Sequence, residues 1–162
     1  MTLATSPCTV GLHRLTWRAT ASAVSNTEAI ADALAWLIGD PNDVTLDRSA
    51  SYHGPQLVLL EASTTKKKNT LHALARLGGT QLRHIIDTLE ERLDDDHIVH
   101  FRLEMNDLID GQVVLARGSG TGHVKGQAKM EVYPGRPAME QILETLNEVV
   151  TLADRDMNGG EG

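Results

Sequence analysis

Two periods run through this chain. Some stretches alternate apolar and polar residues, the mark of a strand with one covered face. Others repeat at three and four, the mark of an amphipathic helix. The cleanest alternation spans 98–105. There Val99, Phe101, Leu103 and Met105 point one way, and Ile98, His100, Arg102 and Glu104 the other. The only Phe of the chain lies on the apolar side, so this stretch is expected to be the central strand of the core. It follows a helix expected to end at Leu93 and the triplet Asp94-Asp95-Asp96, whose side chains favour turns.

The remaining elements follow in order. Thr9 to Ala21 reads as a strand, with Leu15, Trp17 and Ala19 sharing a face with His13, and Arg14, Thr16 and Arg18 sharing the other with Leu12. Ser25 and Glu28 have capping-box spacing ahead of Ile30, Ala33, Leu34, Leu37 and Ile38, a helix that Gly39 and Pro41 stop. A weak strand over 43–50 and a turn over 51–55 lead into a strong strand, Gln56 to Ser63. Leu71, Leu74, Ala75 and Leu77 mark a short helix ended by Gly78-Gly79. Thr80 is placed to cap the next, carried by Leu82, Ile85, Ile86, Leu89 and Leu93. After the Phe101 strand come a short connection, a strand over 112–116, the loop Gly118 to Gly122, a strand from Val124 to Tyr133 and a last helix from Met139 to Val150. The resulting order, βαββααβββα, is an α+β plan: a mostly antiparallel sheet with helices packed on one face. Residues 1–8 read as a flexible leader, 9–153 as one domain and 154–162 as a disordered tail.

Composition narrows the function. The chain has 162 residues, 41% of them apolar, enough for one domain with a real core. Net charge is −7, so the whole-molecule field repels nucleic acid, and any such contact needs a local basic patch. Aromatic residues make up only 3%, which argues against a surface built on base stacking. One cysteine, Cys8, permits no internal disulfide. No signal peptide and no apolar run of membrane-spanning length is evident, so a cytoplasmic protein is expected.

Catalytic and metal chemistry find little support. The acidic triplet lacks calcium-loop spacing, and none of His13, His53, His72, His84, His97, His100 and His123 stands at zinc-helix spacing. Gly118 to Gly122 lacks the Lys-Ser/Thr ending of a phosphate loop. No catalytic residue, metal or cofactor is assigned. Gly126, inside a strand, signals a bulge or a close backbone approach.

The basic residues are more informative. Lys66-Lys67-Lys68 stands before a helix, where the dipole disfavours cations, so the run works against local stability. Arg14, Arg18, Arg102, Lys125 and Lys129 all fall on polar strand faces, and would form one positive patch if their strands are neighbours. Tyr52 and His53, in a turn, are the candidates for stacking on a base.

Three blocks carry a family resemblance: 52–62 (YHGPQLVLLEA), 92–111 (RLDDD through Gly111) and 124–134, ending Glu131-Val132-Tyr133-Pro134. In this order they resemble an archaeal family of small RNA-binding proteins described as predicted exosome subunits. The chain departs from the family wording in the first block, which is one residue shorter before its strand. It departs also at Glu104-Met105-Asn106, where the family carries a lysine. The resemblance implies a fold like that of ribosomal protein L5, which binds 5S rRNA, with RNA on an exposed surface. The expected function is therefore non-enzymatic RNA binding in RNA processing (exosome-associated) or on the ribosome. The partners would be rRNA or an exosome substrate, and exosome or ribosomal proteins. The rival is a protein-interaction subunit that docks its acidic surface on a basic partner without touching RNA.

Overall fold

The computed structural model describes residues 12–22, 27–49, 57–116 and 123–159. Its elements are β1 (Leu12–Ser22), α1 (Thr27–Ile38), β2 (Val44–Ser49), β3 (Leu57–Thr64), α2 (Lys67–Ala75), α3 (Gly79–Asp87), α4 (Leu89–Arg92), β4 (Ile98–Glu104), α5 (Met105–Ile109), β5 (His123–Met130) and α6 (Ala138–Gly159). The five strands form one sheet in the order β2-β3-β1-β5-β4, and every neighbouring pair is antiparallel. The fold is α+β, as the alternating and helical periods predict.

The centre of the sheet is β1, not the Phe101 strand. Alternation reports that one face is covered, and an edge strand satisfies it as well as a central one. β1 spans 11 residues and holds both β3 and β5 along its length. β4 is an edge strand whose free side is blunted twice. Leu93 bridges Val99, and Leu115 bridges Leu103. The expected strand over 112–116 is reduced to that second bridge, supported by backbone bonds from Ala116 N to Arg102 O (2.8 Å) and from Glu104 N to Val114 O (2.9 Å). Such partial covers remove the row of open backbone groups that invites edge-to-edge pairing.

One strand changes phase. The β1–β5 register shifts between Leu12 and Arg14. The extra residue brings Leu12 onto the buried face with Leu15, Trp17 and Ala19, and leaves His13 exposed, the reverse of the simple alternation. Beyond the bulge the expected split holds, with Arg14 and Arg18 outward.

On the covered face Trp17 stands opposite Ala62 on β3 and Gly126 on β5, and Gly126 stands opposite Phe101 on β4. The Trp17 and Phe101 rings meet edge to face over the glycine, with centroids 5.1 Å apart and planes at 68°. A Cβ on Gly126 would collide with both rings. The glycine is therefore a close-approach site, without a bulge of its own. Edge-to-face pairs contribute about 1 kcal/mol beyond area burial.

The helices close this face. α1 buries Ile30, Leu34, Leu37 and Ile38, and ends as expected at Gly39, whose φ of 92° suits glycine. α2 packs on β1 and α6, α1 on β3, and α3 on α6. α3 starts at Gly79 after Gly78 (φ 90°), one residue before the threonine expected to cap it. α6 buries Ile142, Leu146, Val149, Val150 and Ala153. It continues to Gly159, through the segment expected to be an unstructured tail from 154. Gln141, 2% exposed, holds the approach to this helix, accepting from Tyr133 N and donating to Tyr133 O and Arg136 O. The leader, the Ser25 cap, the 51–55 turn and the 118–122 loop lie outside the described residues.

Candidate nucleic-acid interface

The antiparallel register decides which polar side chains stand abreast on the open face. One row crosses three strands: Arg18 on β1 opposes Lys125 on β5, and Lys125 opposes Arg102 on β4. A second row pairs Arg14 with Lys129. Between them runs a row of hydrogen-bonding side chains, Ser63, Thr16, Gln127 and His100. The five cations that the sequence leaves scattered over three strands thus share one surface, opposite the helices.

This arrangement is unfavourable by itself. Like charges directly opposite on neighbouring strands, about 4.8 Å apart, destabilise a sheet. Among the described residues only Arg18 of the five has a carboxylate within ion-pair reach, its Nε lying 2.6 Å from a Glu61 oxygen. Both partners are exposed, so that pair contributes at most about 1 kcal/mol. Glu104, also on this face, lies 3.6 Å from His123 rather than from a member of either row.

The groove beside β4 adds a residue that sequence reasoning missed. Glu91, Arg92, His100, Arg102, Lys125 and Gln127 line a surface groove of about 500 Å³. Arg92, at the end of α4, donates to Thr88 Oγ1 (2.6 Å) and to His100 O (3.4 Å). Partial burial holds its pKa below the usual arginine value, against the opposing charge of Glu91. In sequence Arg92 reads as the cationic last turn of a helix. Only the Leu93–Val99 bridge folds it back alongside Arg102.

The acidic triplet is a turn. Asp94 Oδ1 accepts from Asp96 N (2.9 Å) and Ile98 N (3.0 Å), and its Oδ2 lies 2.7 Å from His100 Nε2. The His100 bond, then the Ile98 bond, hold the Asp94 carboxyl below the usual carboxylate range. Among the described residues no three histidine, cysteine or acidic side chains gather as metal ligands.

The lysine run sits elsewhere. β3 leaves the sheet after Thr64, which opposes Leu15, so the chain exits at the end where Arg14 and Lys129 stand. Lys66 is exposed there, at the N-cap of α2 and without a side-chain cap. Lys67 and Lys68 form the first turn of that helix rather than a loop ahead of it, and that turn contains no acidic residue. Their side chains, and Tyr52 and His53 entirely, lie outside the described residues.

Fold and face together define a class: a single-sheet α+β protein with one face covered by helices and the other carrying the five strand cations. A family model described as RNA binding matches residues 14–128, and the chain belongs to this RNA-binding family. The match runs from Arg14 on β1 to one residue short of Lys129. Solved archaeal structures share the fold. A DUF54 protein from Methanothermobacter thermautotrophicus superposes with a TM-score of 0.68 at 18% identity, covering 86% of this chain and 98% of that one. A DUF54 protein from Archaeglobus fulgidus gives 0.67 at 22% identity, covering 85% and 99%. A UPF0201 protein from Methanococcus jannaschii gives 0.57 at 13%, covering 85% and 98%. No curated protein matches the chain by sequence.

Proposed function

We propose that this protein binds RNA through the open face of its sheet, without catalysis, by contacts to phosphates from Arg14, Arg18, Arg102, Lys125 and Lys129. Arg92 adds a cation at the β4 groove, and Lys66, Lys67 and Lys68 extend the contact at the rim. The observation that carries the reading is the row Arg18, Lys125, Arg102, three cations abreast on adjacent strands, two of them with no acidic partner among the described residues. A sheet keeps such a row at a cost, and a polyanion removes the cost by taking the place of the missing counter-charges. The row stands out on a chain of net charge −7, in which Glu61 and Glu104 share the same face and Glu140, Glu144 and Glu148 lie on α6.

No helix among the described residues is long and apolar enough to cross a membrane. The setting we propose is an archaeal cytoplasm, in exosome-associated RNA processing or on the ribosome, which rests on the family resemblance. In an anisotropy titration of labelled RNA against salt, Arg102→Ala and Lys125→Ala should each weaken binding and lower the slope by about 1. The Lys66/Lys67/Lys68→Ala variant should lower it further. Slopes that stay at the wild-type value in Arg102→Ala and Lys125→Ala would reject the face as the RNA site. The α6 carboxylates Glu140, Glu144 and Glu148, the first two paired with Arg136, offer a second surface for a basic protein partner. Association that persists in a nuclease-treated pull-down and is lost on Glu140/Glu144/Glu148→Gln would identify that second use.

A further inference from the structure

We infer that the RNA form recognised by this face is the A-form duplex, read across its minor groove, rather than a single strand. The inference rests on the RNA-binding reading above and adds the substrate class. Its basis is the spacing of the rows. Arg14 and Arg18 are four residues apart on β1, and Lys129 and Lys125 are four apart on β5. At about 3.3 Å per residue the two cationic rows therefore lie roughly 13 Å apart.

What lies between them is neutral and suited to hydrogen bonding. Thr16 forms the floor, only 6% exposed although it faces away from the helices, because Arg14 and Arg18 flank it along the strand and Ser63 and Gln127 flank it across. Its Oγ1 lies 3.1 Å from Ser63 Oγ. Gln127 makes no side-chain hydrogen bond among the described residues, and both functions of its amide remain to be used. On β1 and β5 the cross-section is cation, neutral donor and acceptor, cation; on β4 the middle position is His100, bonded to the Asp94 carboxylate. A wide, shallow minor groove presents the matching cross-section: a phosphate backbone, a floor of 2′-hydroxyls and base edges, and a second phosphate backbone. The B-form minor groove of DNA is narrow and lacks the 2′-hydroxyl.

A single strand would need different features. Unstacked bases are held on aromatic side chains. Among the described residues the two aromatics within the strands, Trp17 and Phe101, both point into the core. Among the described residues the exposed aromatics are Trp36, on a helix, and Tyr133, beyond the end of β5 and fastened to α6 through Gln141; Tyr52 and His53 lie outside the described residues.

The test uses the full chain and three labelled probes of about 20 nucleotides or base pairs and one sequence: an RNA duplex, its single strand and the DNA duplex. The RNA duplex should bind about tenfold tighter than either of the others. Gln127→Ala should reduce the preference for RNA over DNA duplex while leaving the salt slope unchanged, which a general loss of fold would not do. Equal or tighter binding of the single strand, or equal binding of the two duplexes, would overturn the inference. The single-strand result leaves RNA binding standing if Lys125→Ala still lowers the slope, and Tyr133→Ala then tests stacking. Absence of salt-dependent binding to every probe would remove the RNA-binding reading itself.

Discussion

Trp17 and Arg18 are neighbours in sequence and stand on opposite sides of one sheet. On Trp17's side the rung runs Trp17, Gly126, Phe101; on Arg18's side it runs Arg18, Lys125, Arg102. The first rung is arranged for packing. A glycine gives up its side chain so that two rings can meet at 5.1 Å. The second rung is arranged against packing and against electrostatics, with three cations side by side. The same backbone supports both because strand residues alternate sides, so one face can carry the stability that the other gives up. Residues that lower stability without a structural reason are expected at functional sites, which is why the proposed contact lies on this face.

That contrast can be broken from either side. The largest effect should come from Phe101→Ala, which opens a cavity beside Trp17 and should cost about 4 kcal/mol, read as a lower urea midpoint. A loss below about 1 kcal/mol would mean that the ring pair does not anchor the core. Gly126→Ala forces a methyl group against both rings and should cost about 2 kcal/mol. Unchanged stability would show that the rings can part freely.

On the other face the sign should invert. Lys125→Glu places a carboxylate between Arg18 and Arg102, and opposite charges on neighbouring strands stabilise by about 0.5 kcal/mol. The same variant should bind RNA at least about tenfold more weakly at moderate salt. A variant that is both less stable and equally competent in binding would contradict the division of labour between the faces.

The smallest effect concerns acid. The folded Asp94 carboxyl titrates below its unfolded value, near 3.9. Its contribution is therefore present above that pH and is lost as pH falls through the lower, folded value. Asp94→Asn should flatten the acid limb of a melting-temperature profile between pH 5 and 2, and shift it little near pH 7. An acid limb identical to that of wild type would assign no such role to the Asp94 turn.

Much of this was legible in the residues. The two periods separate strands from helices, and mark the inward and outward sets of β4 and β5 correctly. Gly126 announced a bulge or a close approach, and the structure shows the second. The five strand cations were identifiable as outward residues because long charged side chains in an alternating strand have one place to go. Three features were not legible, and for one reason. The central position of β1, the phase change at Leu12 and the return of Arg92 beside Arg102 depend on pairing between segments far apart in the chain. Local period carries no information about which strands become neighbours. Thr80 failed as a cap for a smaller reason. Gly78 at positive φ already turns the chain into the helix as its cap, two residues ahead of Thr80.

The sequence by itself determined the class of fold, the face of strand residues away from the Leu12 bulge and the identity of the outward cations, because these follow from side-chain alternation along one segment. Tertiary structure alone decided that β1 is the centre, that Arg18, Lys125 and Arg102 stand in one row, and that a neutral floor separates that row from Arg14 and Lys129. Register is a relation between strands. Hydrogen bonds that close long loops, fixed by a buried face that tolerates no slip, set it.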